Sequence, residues 1–385
     1  ERYLSRAVPW GAPEYSRQEG ALGWDSATFK VPPGLVKRVA FWKEIYSKYT
    51  THQGVLHDPD QPQQIYEVID FTAVGERSRA RSRLVNQRKA KVAERFLRLS
   101  RIKSEKELRD VEDRRFFSYA YSGSLDELFS TSSKKRLEAA RSRLKAMGNK
   151  RRIRFQLGQK DKFILGIYYS GRYLREMEKK FREERLPIEL TRLPFVESSF
   201  NIQARSRVGA SGIWQFMPRT AKPGMMVNRD VDERNDPLTA TMGAARLLRS
   251  NYEQLRSWPL ALTAYNHGAA GIARAVKKTG SRDLSVIIEK YESRRFGFAS
   301  SNFYACFLAA LDVERNAQAL LGDVKWSTAF DGAEVDVSTP LEWRDVVRFY
   351  DGESALAELQ NPHLMKRVRT GKAKIPKRTF VRVPL

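Results

Sequence analysis

Read for its alternation of apolar and polar positions, the chain falls into four regions. From residue 1 to about 74, Pro and Gly interrupt one short helical stretch, VKRVAFWKEIYSKYT, which a polar turn, HDPDQPQQ, separates from the strand-like IYEVIDF. From 75 to about 150 the pattern is helical and basic. Within ERSRARSRLVNQRKAKVAERFLRLS, the residues Leu84, Val92, Phe96, Leu97 and Leu99 trace a narrow apolar stripe beside a broad charged face. Such a stripe predicts a long helix that is solvated round most of its circumference and packed along one edge. A polyanion-binding arm is the alternative use of the same charge.

Residues 151 to about 320 carry the strongest apolar helical pattern. In GRYLREMEKKFREERLP, Tyr173, Leu174, Met177 and Phe181 share one face, and Pro187 fits the first turn of a following helix, PIELTRL. NDPLTATMGAARLLRSNYEQL opens with Asp236 as N-cap and Pro237 at the first helical position. SWPLALTAYNHG predicts a helix stopped by Gly268, and SNFYACFLAALDVERNAQAL predicts another. Beyond 321, the strand-like AEVDVS and TFVRVPL flank two short helices around a Gly turn. The expected fold is therefore mainly α: a mostly helical, basic accessory region over 1–150, an all-α domain over 151–320 and a small α+β appendage over 321–385.

Composition narrows the partners rather than the fold. The 385 residues include 70 Lys and Arg against 45 Asp and Glu, a net charge of +25. That excess implies attraction to a polyanion: nucleic acid, an anionic membrane face or the bacterial wall. Base-stacking and helix-turn-helix signatures are missing, so no specific nucleic-acid partner is expected. No run approaches the roughly 18 to 20 apolar residues that span a bilayer. No secretion signal is visible, which in a chain starting at Glu1 says nothing of destination. The sole cysteine, Cys306, excludes an internal disulfide and reads as a small core residue. His52, His57, His267 and His363 are scattered without ligand spacing, so no metal or other cofactor is expected.

The chemistry concentrates in the central region. In TRLPFVESSFN, Glu197 stands among Leu193, Pro194, Phe195, Val196 and Phe200. An acid that donates a proton near neutral pH needs a raised pKa, which desolvation supplies, and a place at the end of PIELTRL adds the negative end of a helix dipole. A buried structural acid is the alternative reading. In GASGIWQFMP, Gly209 and Gly212 permit a sharp turn, Gln215 offers a donor and an acceptor, and Trp214 and Phe216 either stack on a sugar ring or sit in the core. AYNHG puts the phenol of Tyr265 and the carboxamide of Asn266 at a helix end.

Together, LPFVESSFN, GASGIWQFMP and AYNHG, in this order and at these separations, resemble the catalytic domain of lytic transglycosylases, and within them the membrane-bound type D subgroup. The resemblance covers about 151–320. It implies a lysozyme-like helical fold, peptidoglycan glycan strands as substrate and partner, and a periplasmic or secreted setting in the cell envelope. By the same resemblance Glu197 is the catalytic acid, while Ser198, Gln215, Tyr265 and Asn266 line the site. One departure concerns the segment in which the subgroup usually presents a tyrosine to the acid. Here NFYACFLAA has Phe303 at that position and Tyr304 one place later, about 100° round the helix. Both are candidate site residues. No wall-binding repeats are evident within this sequence, although the basic end of the appendage is a candidate for wall contact.

Glycosidases normally use two carboxylates. Asp230, Asp232, Glu233 and Asp236 read as loop and helix-cap acids, and Glu189, eight residues before Glu197 and beyond two helical turns, is expected to face elsewhere, which leaves Glu197 as a single acid. The expected reaction is protonation of the bond between N-acetylmuramic acid and N-acetylglucosamine, with closure of a 1,6-anhydro ring by the sugar's own C6 hydroxyl. A hydrolytic muramidase, including one that prefers deacetylated strands, and a non-catalytic wall-binding protein are the alternatives.

Overall fold

The computed structural model describes residues 4–9, 28–121, 123–130, 134–329 and 332–384. Most of the Pro- and Gly-bearing opening, residues 10–27, lies outside the described residues. Two compact units result: Pro32–Asp161, and a larger one that combines Glu1–Val31 with Lys162–Leu385. Residues 151–161 thus pack with the smaller unit, and 321–385 share a unit with the central region. Strand β1 (Leu4–Pro9) opens the larger unit.

In the smaller unit, helix α1 (Val36–Ser47) turns Val39, Phe41, Trp42, Ile45 and Tyr46 inward. Strand β2 (Gln53–His57) is the centre of an antiparallel three-stranded sheet, between β3 (Ile65–Asp70) and β4 (Arg154–Leu157). Helix α2 (Ser78–Leu99) buries Val92, Ala93, Phe96 and Leu99, one stripe at helical spacing. Leu84 and Leu97 are half-buried at its margin. Against that stripe pack α3 (Val111–Ala120) and α4 (Lys134–Met147), and Phe96, Phe117 and Leu144 lie at the heart of the resulting core. Arg95 and Arg98 both bind the buried carboxylate of Asp113, so part of the basic face of α2 is paired internally.

The helical part of the larger unit begins within α5 (Lys160–Ser170), from Lys162 on, and continues with α6 (Leu174–Glu183), which buries Leu174, Met177 and Phe181. The stretch expected as one helix after Pro187 is a 3-10 turn, Ile188–Arg192, running into a five-residue helix, α7 (Leu193–Glu197). Pro194 explains the break: it has no amide hydrogen to extend the first turn but fits the start of a new helix. Beneath this junction the buried guanidinium of Arg192 binds Glu178 from α6.

Asp236 caps α8 (Pro237–Leu255), its carboxylate accepting from the Thr239 amide at 2.8 Å. Helix α9 (Trp258–His267) ends at Gly268, whose φ of 87° suits a residue without a Cβ. Then come α10 (Ala269–Thr279), α11 (Leu284–Lys290) and the largely buried α12 (Phe298–Arg315). The C-terminal part contributes β5 (Ala333–Val337), α13 (Trp343–Arg348), α14 (Ser354–Gln360) and β6 (Phe380–Val383). β5 lies between β1 and β6 in an antiparallel sheet.

This α+β part is built onto the helical region. Val231 shares a core cluster with Val335, Trp343 and Val381, and Arg367 Nε binds Asp230 at 2.7 Å. Arg382 on β6 forms a buried pair with Asp236. Burial pushes the Asp236 carboxyl up, but the charge and hydrogen bonds of Arg382 more than reverse this and hold it at about 2. The chain is mainly α, as the periodicity predicts. Among the described residues, no helix is long and apolar enough to cross a membrane.

Candidate active site

Glu197 is the last residue of α7. The preceding Phe195 is fixed by stacking on Phe163, ring centroids 4.7 Å apart, and by the edge of Phe200 at 4.8 Å. After Glu197 the backbone turns through two consecutive left-handed residues, Ser199 (φ 51°) and Phe200 (φ 56°). Neither is glycine, so each costs on the order of 1–2 kcal/mol, and the burial of the Phe200 ring holds them there. Ser198 Oγ donates to the carbonyl of Ile213 at 2.8 Å, tying the end of α7 to the next motif. The side chain of Glu197 keeps some contact with water, yet burial pushes its carboxyl up to about 8. No neighbouring charge among the described residues contributes to that rise.

The glycine-rich motif forms a tight turn. Gly212 has a φ of 76°, and a Cβ on it would lie 1.8 Å from the Arg234 carbonyl, so only glycine fits. Arg234 clamps the turn by donating to the carbonyls of Gly209 (2.7 Å) and Phe216 (2.9 Å). The stacking role considered for Trp214 and Phe216 does not hold. Trp214 is enclosed, parallel to Phe181 at 6.1 Å with its Nε1 donating to Thr241 Oγ1 at 2.9 Å, and Phe216 is buried. Gln215 reaches the surface in part, at a left-handed φ of 49°. Its amide nitrogen donates to the carbonyls of Gly212 (2.8 Å) and Ala204 (3.1 Å), so that nitrogen braces the turn.

Tyr265, near the end of α9, donates to the Trp214 carbonyl at 2.8 Å. Its phenol is pushed well above the ordinary range, first by burial and then by the nearby Glu197 carboxylate. That electrostatic contact joins the acid to the Tyr-Asn pair. Asn266 is exposed, and its Oδ1 accepts from Ser300 Oγ at 2.9 Å. Phe303 lies parallel to the Tyr265 ring at 6.4 Å. Tyr304 is turned toward Phe307 and buried, so of the two neighbours Phe303 faces this wall and Tyr304 does not. Glu197, Ser198, Gln215, Tyr265, Asn266 and Phe303 therefore come together through direct contacts or shared neighbours. The acids read as loop and cap residues are so employed: Asp232 binds Arg234 at 2.8 Å, Glu233 accepts from the Met226 amide at 2.7 Å, Asp230 binds Arg367 and Asp236 caps α8; Glu189 is buried.

The family model of the transglycosylase SLT domain matches residues 173–288. This stretch is an SLT domain. It contains Glu197, Ser198, Gln215, Tyr265 and Asn266, and the resemblance read from the three motifs holds. Over 179 residues the chain is 28% identical to the membrane-bound lytic murein transglycosylase D of Escherichia coli (strain K12), which spans 45% of this chain and 38% of that protein. Over 173 residues it is 33% identical to the membrane-bound lytic murein transglycosylase F 2 of Alkalilimnicola ehrlichii, covering 38% of this chain and 37% of that protein. The chain thus spans less than two-fifths of the length of these curated relatives. Among solved structures, the 70 kDa soluble lytic transglycosylase of Escherichia coli covers 64% of this chain and 45% of its own, at 15% identity and a TM-score of 0.33. The lytic transglycosylase Slt of Pseudomonas aeruginosa covers 57% and 35%, at 18% and 0.32.

Two features around Glu197 escape a sequence reading. Ser300 holds Asn266 from a helix 34 residues away, and Arg192 with Glu178 supports the start of α7 from beneath. The first leaves no local signal. The second shows only as charged residues inside otherwise apolar stretches.

Proposed function

We propose that this chain cleaves the β-1,4 bond between N-acetylmuramic acid and N-acetylglucosamine in peptidoglycan strands, as a lytic transglycosylase with Glu197 as its single acid. One observation carries the proposal: a carboxyl raised to about 8 by burial, at the end of α7 and beside Tyr265, inside an SLT domain. At neutral pH it carries the proton that a general acid must deliver to the glycosidic oxygen. The 2-acetamido group of the substrate stabilises the oxocarbenium-like centre, as in substrate-assisted glycosidases. Glu197, now a carboxylate, takes the proton of the C6 hydroxyl, whose oxygen closes on C1 to give the 1,6-anhydro product. No water enters the balance. Phe303 supports this use of the acid, because a ring without a hydroxyl adds no hydrogen bond that would favour the carboxylate.

The setting proposed is the cell envelope, periplasmic or secreted, where the net positive charge favours docking on anionic wall polymers in a salt-sensitive way. The test is digestion of purified sacculi followed by mass analysis of the released muropeptides. Products lighter by one water than reducing-end muropeptides are expected. Unshifted masses would instead identify a hydrolytic muramidase, and intact sacculi would overturn both.

A further inference from the structure

A cavity of about 390 Å³ opens where the end of α9 meets α10, the segment after α11 and the start of α12, lined in part by Asn266, His267, Arg274, Tyr291, Arg295 and Ser300. It adjoins the wall of the acid along two elements. Asn266 directly follows Tyr265, and Ser300 stands three residues before Phe303, on the same face of α12. Ser300 Oγ lies 2.9 Å from Asn266 Oδ1 and 3.3 Å from His267 Nδ1, which fixes both side chains at the cavity.

The charge here is unbalanced. Arg274 and Arg295 are exposed, and neither makes an ion pair among the described residues. Among the described residues, no carboxylate lines the cavity. Protonation of His267 is disfavoured by burial and then by the charge of Arg274; a hydrogen bond with the Arg295 backbone opposes this and the Arg295 charge adds to it, so both arginines lie within electrostatic reach of the imidazole. Two planar five-donor groups facing a polar cavity without a counter-charge form a receptor for a planar anion.

We infer that this cavity binds a carboxylate carried by the muramoyl sugar of the strand being cleaved. The inference rests on the proposed action on peptidoglycan, since the muramoyl residue is the sugar in that strand that bears acidic groups. The carboxylate has two sources: the lactyl group itself, where the strand has lost its peptide, or the stem peptide where it remains.

The test compares wild type with the Arg274→Gln/Arg295→Gln variant on four substrates: strands with stems, strands stripped of stems by an amidase, and both kinds with their carboxylates blocked by amidation. Cleavage is measured directly, and strand affinity is measured in a Glu197→Gln background. Loss of two charged contacts corresponds to roughly a tenfold fall in affinity or more. Wild type is expected to prefer unblocked strands by that factor, and the double arginine variant to treat blocked and unblocked strands alike, at the blocked rate. A preference confined to stem-bearing strands assigns the peptide, and one that persists on stripped strands assigns the lactyl group. Equal treatment of all substrates by wild type would overturn the inference, as would a variant that loses affinity equally for blocked and unblocked strands. Strand binding with this preference but no cleavage would overturn the glycosidase reading and leave the carboxylate site standing.

Discussion

Replacing Glu197 by Gln tests the environment of the acid without using activity at all. In the folded protein the carboxyl stands at about 8 instead of its ordinary 4.5. At about 1.4 kcal/mol per pKa unit, that difference corresponds to at most about 5 kcal/mol. The side chain keeps some contact with water, so about half of this is expected. The sign follows from proton binding. Between pH 4.5 and 8 the folded protein retains a proton that the unfolded chain releases, so the contribution of Glu197 to stability falls as pH rises through that window and levels off above 8. Gln has nearly the same shape and cannot ionise. The variant should match wild type near pH 4.5 and exceed its stability by about 2–3 kcal/mol at pH 9. Urea unfolding, followed by tryptophan fluorescence at several pH values, measures the difference, and other titrating groups cancel in it. A difference that stays flat with pH, or a variant less stable than wild type at pH 9, would refute the reasoning.

The rate of strand cleavage should be lost as pH rises through about 8, because the acid must be protonated to act; a profile whose alkaline limb falls near 5 would contradict this. Phe303→Tyr adds a phenol on the Tyr265 wall, and a hydrogen bond from it to the carboxylate should move the alkaline limb to lower pH; an unmoved limb would show that the two groups do not meet. Glu178→Ala leaves the buried Arg192 without this carboxylate and should cost about 3–5 kcal/mol in urea unfolding, against less than about 1 kcal/mol for removing an exposed pair such as Lys48 and Glu44.

Much of the site was legible because its signals are local. Glu197 is one acid in an apolar run, Asp236 and Pro237 mark a helix start, and Gly268 marks a helix end. The stripe of α2 was legible too, since the positions that pack recur at helical spacing. What escaped depends on distant partners. An aromatic side chain looks the same in a sequence whether it meets a sugar or a core, and Trp214 is settled by Phe181 and Thr241, neither nearby in the chain. Periodicity implied that Phe303 and Tyr304 diverge, but which one faces Tyr265 depends on how α12 is rotated against α9. The ladder between β1 and β5 pairs residues more than 300 apart, beyond any local pattern.

The account turns on one proton, and carbon-13 NMR of protein labelled at the glutamate carboxyl carbons observes it most directly. Titration from pH 3 to 10, compared between wild type and Glu197→Gln, should show one resonance with a midpoint near 8 that is absent from the variant. If the resonance lost in the variant titrates instead near 4.5, the ordinary value for a glutamate, Glu197 is a carboxylate at neutral pH and cannot be the acid described here.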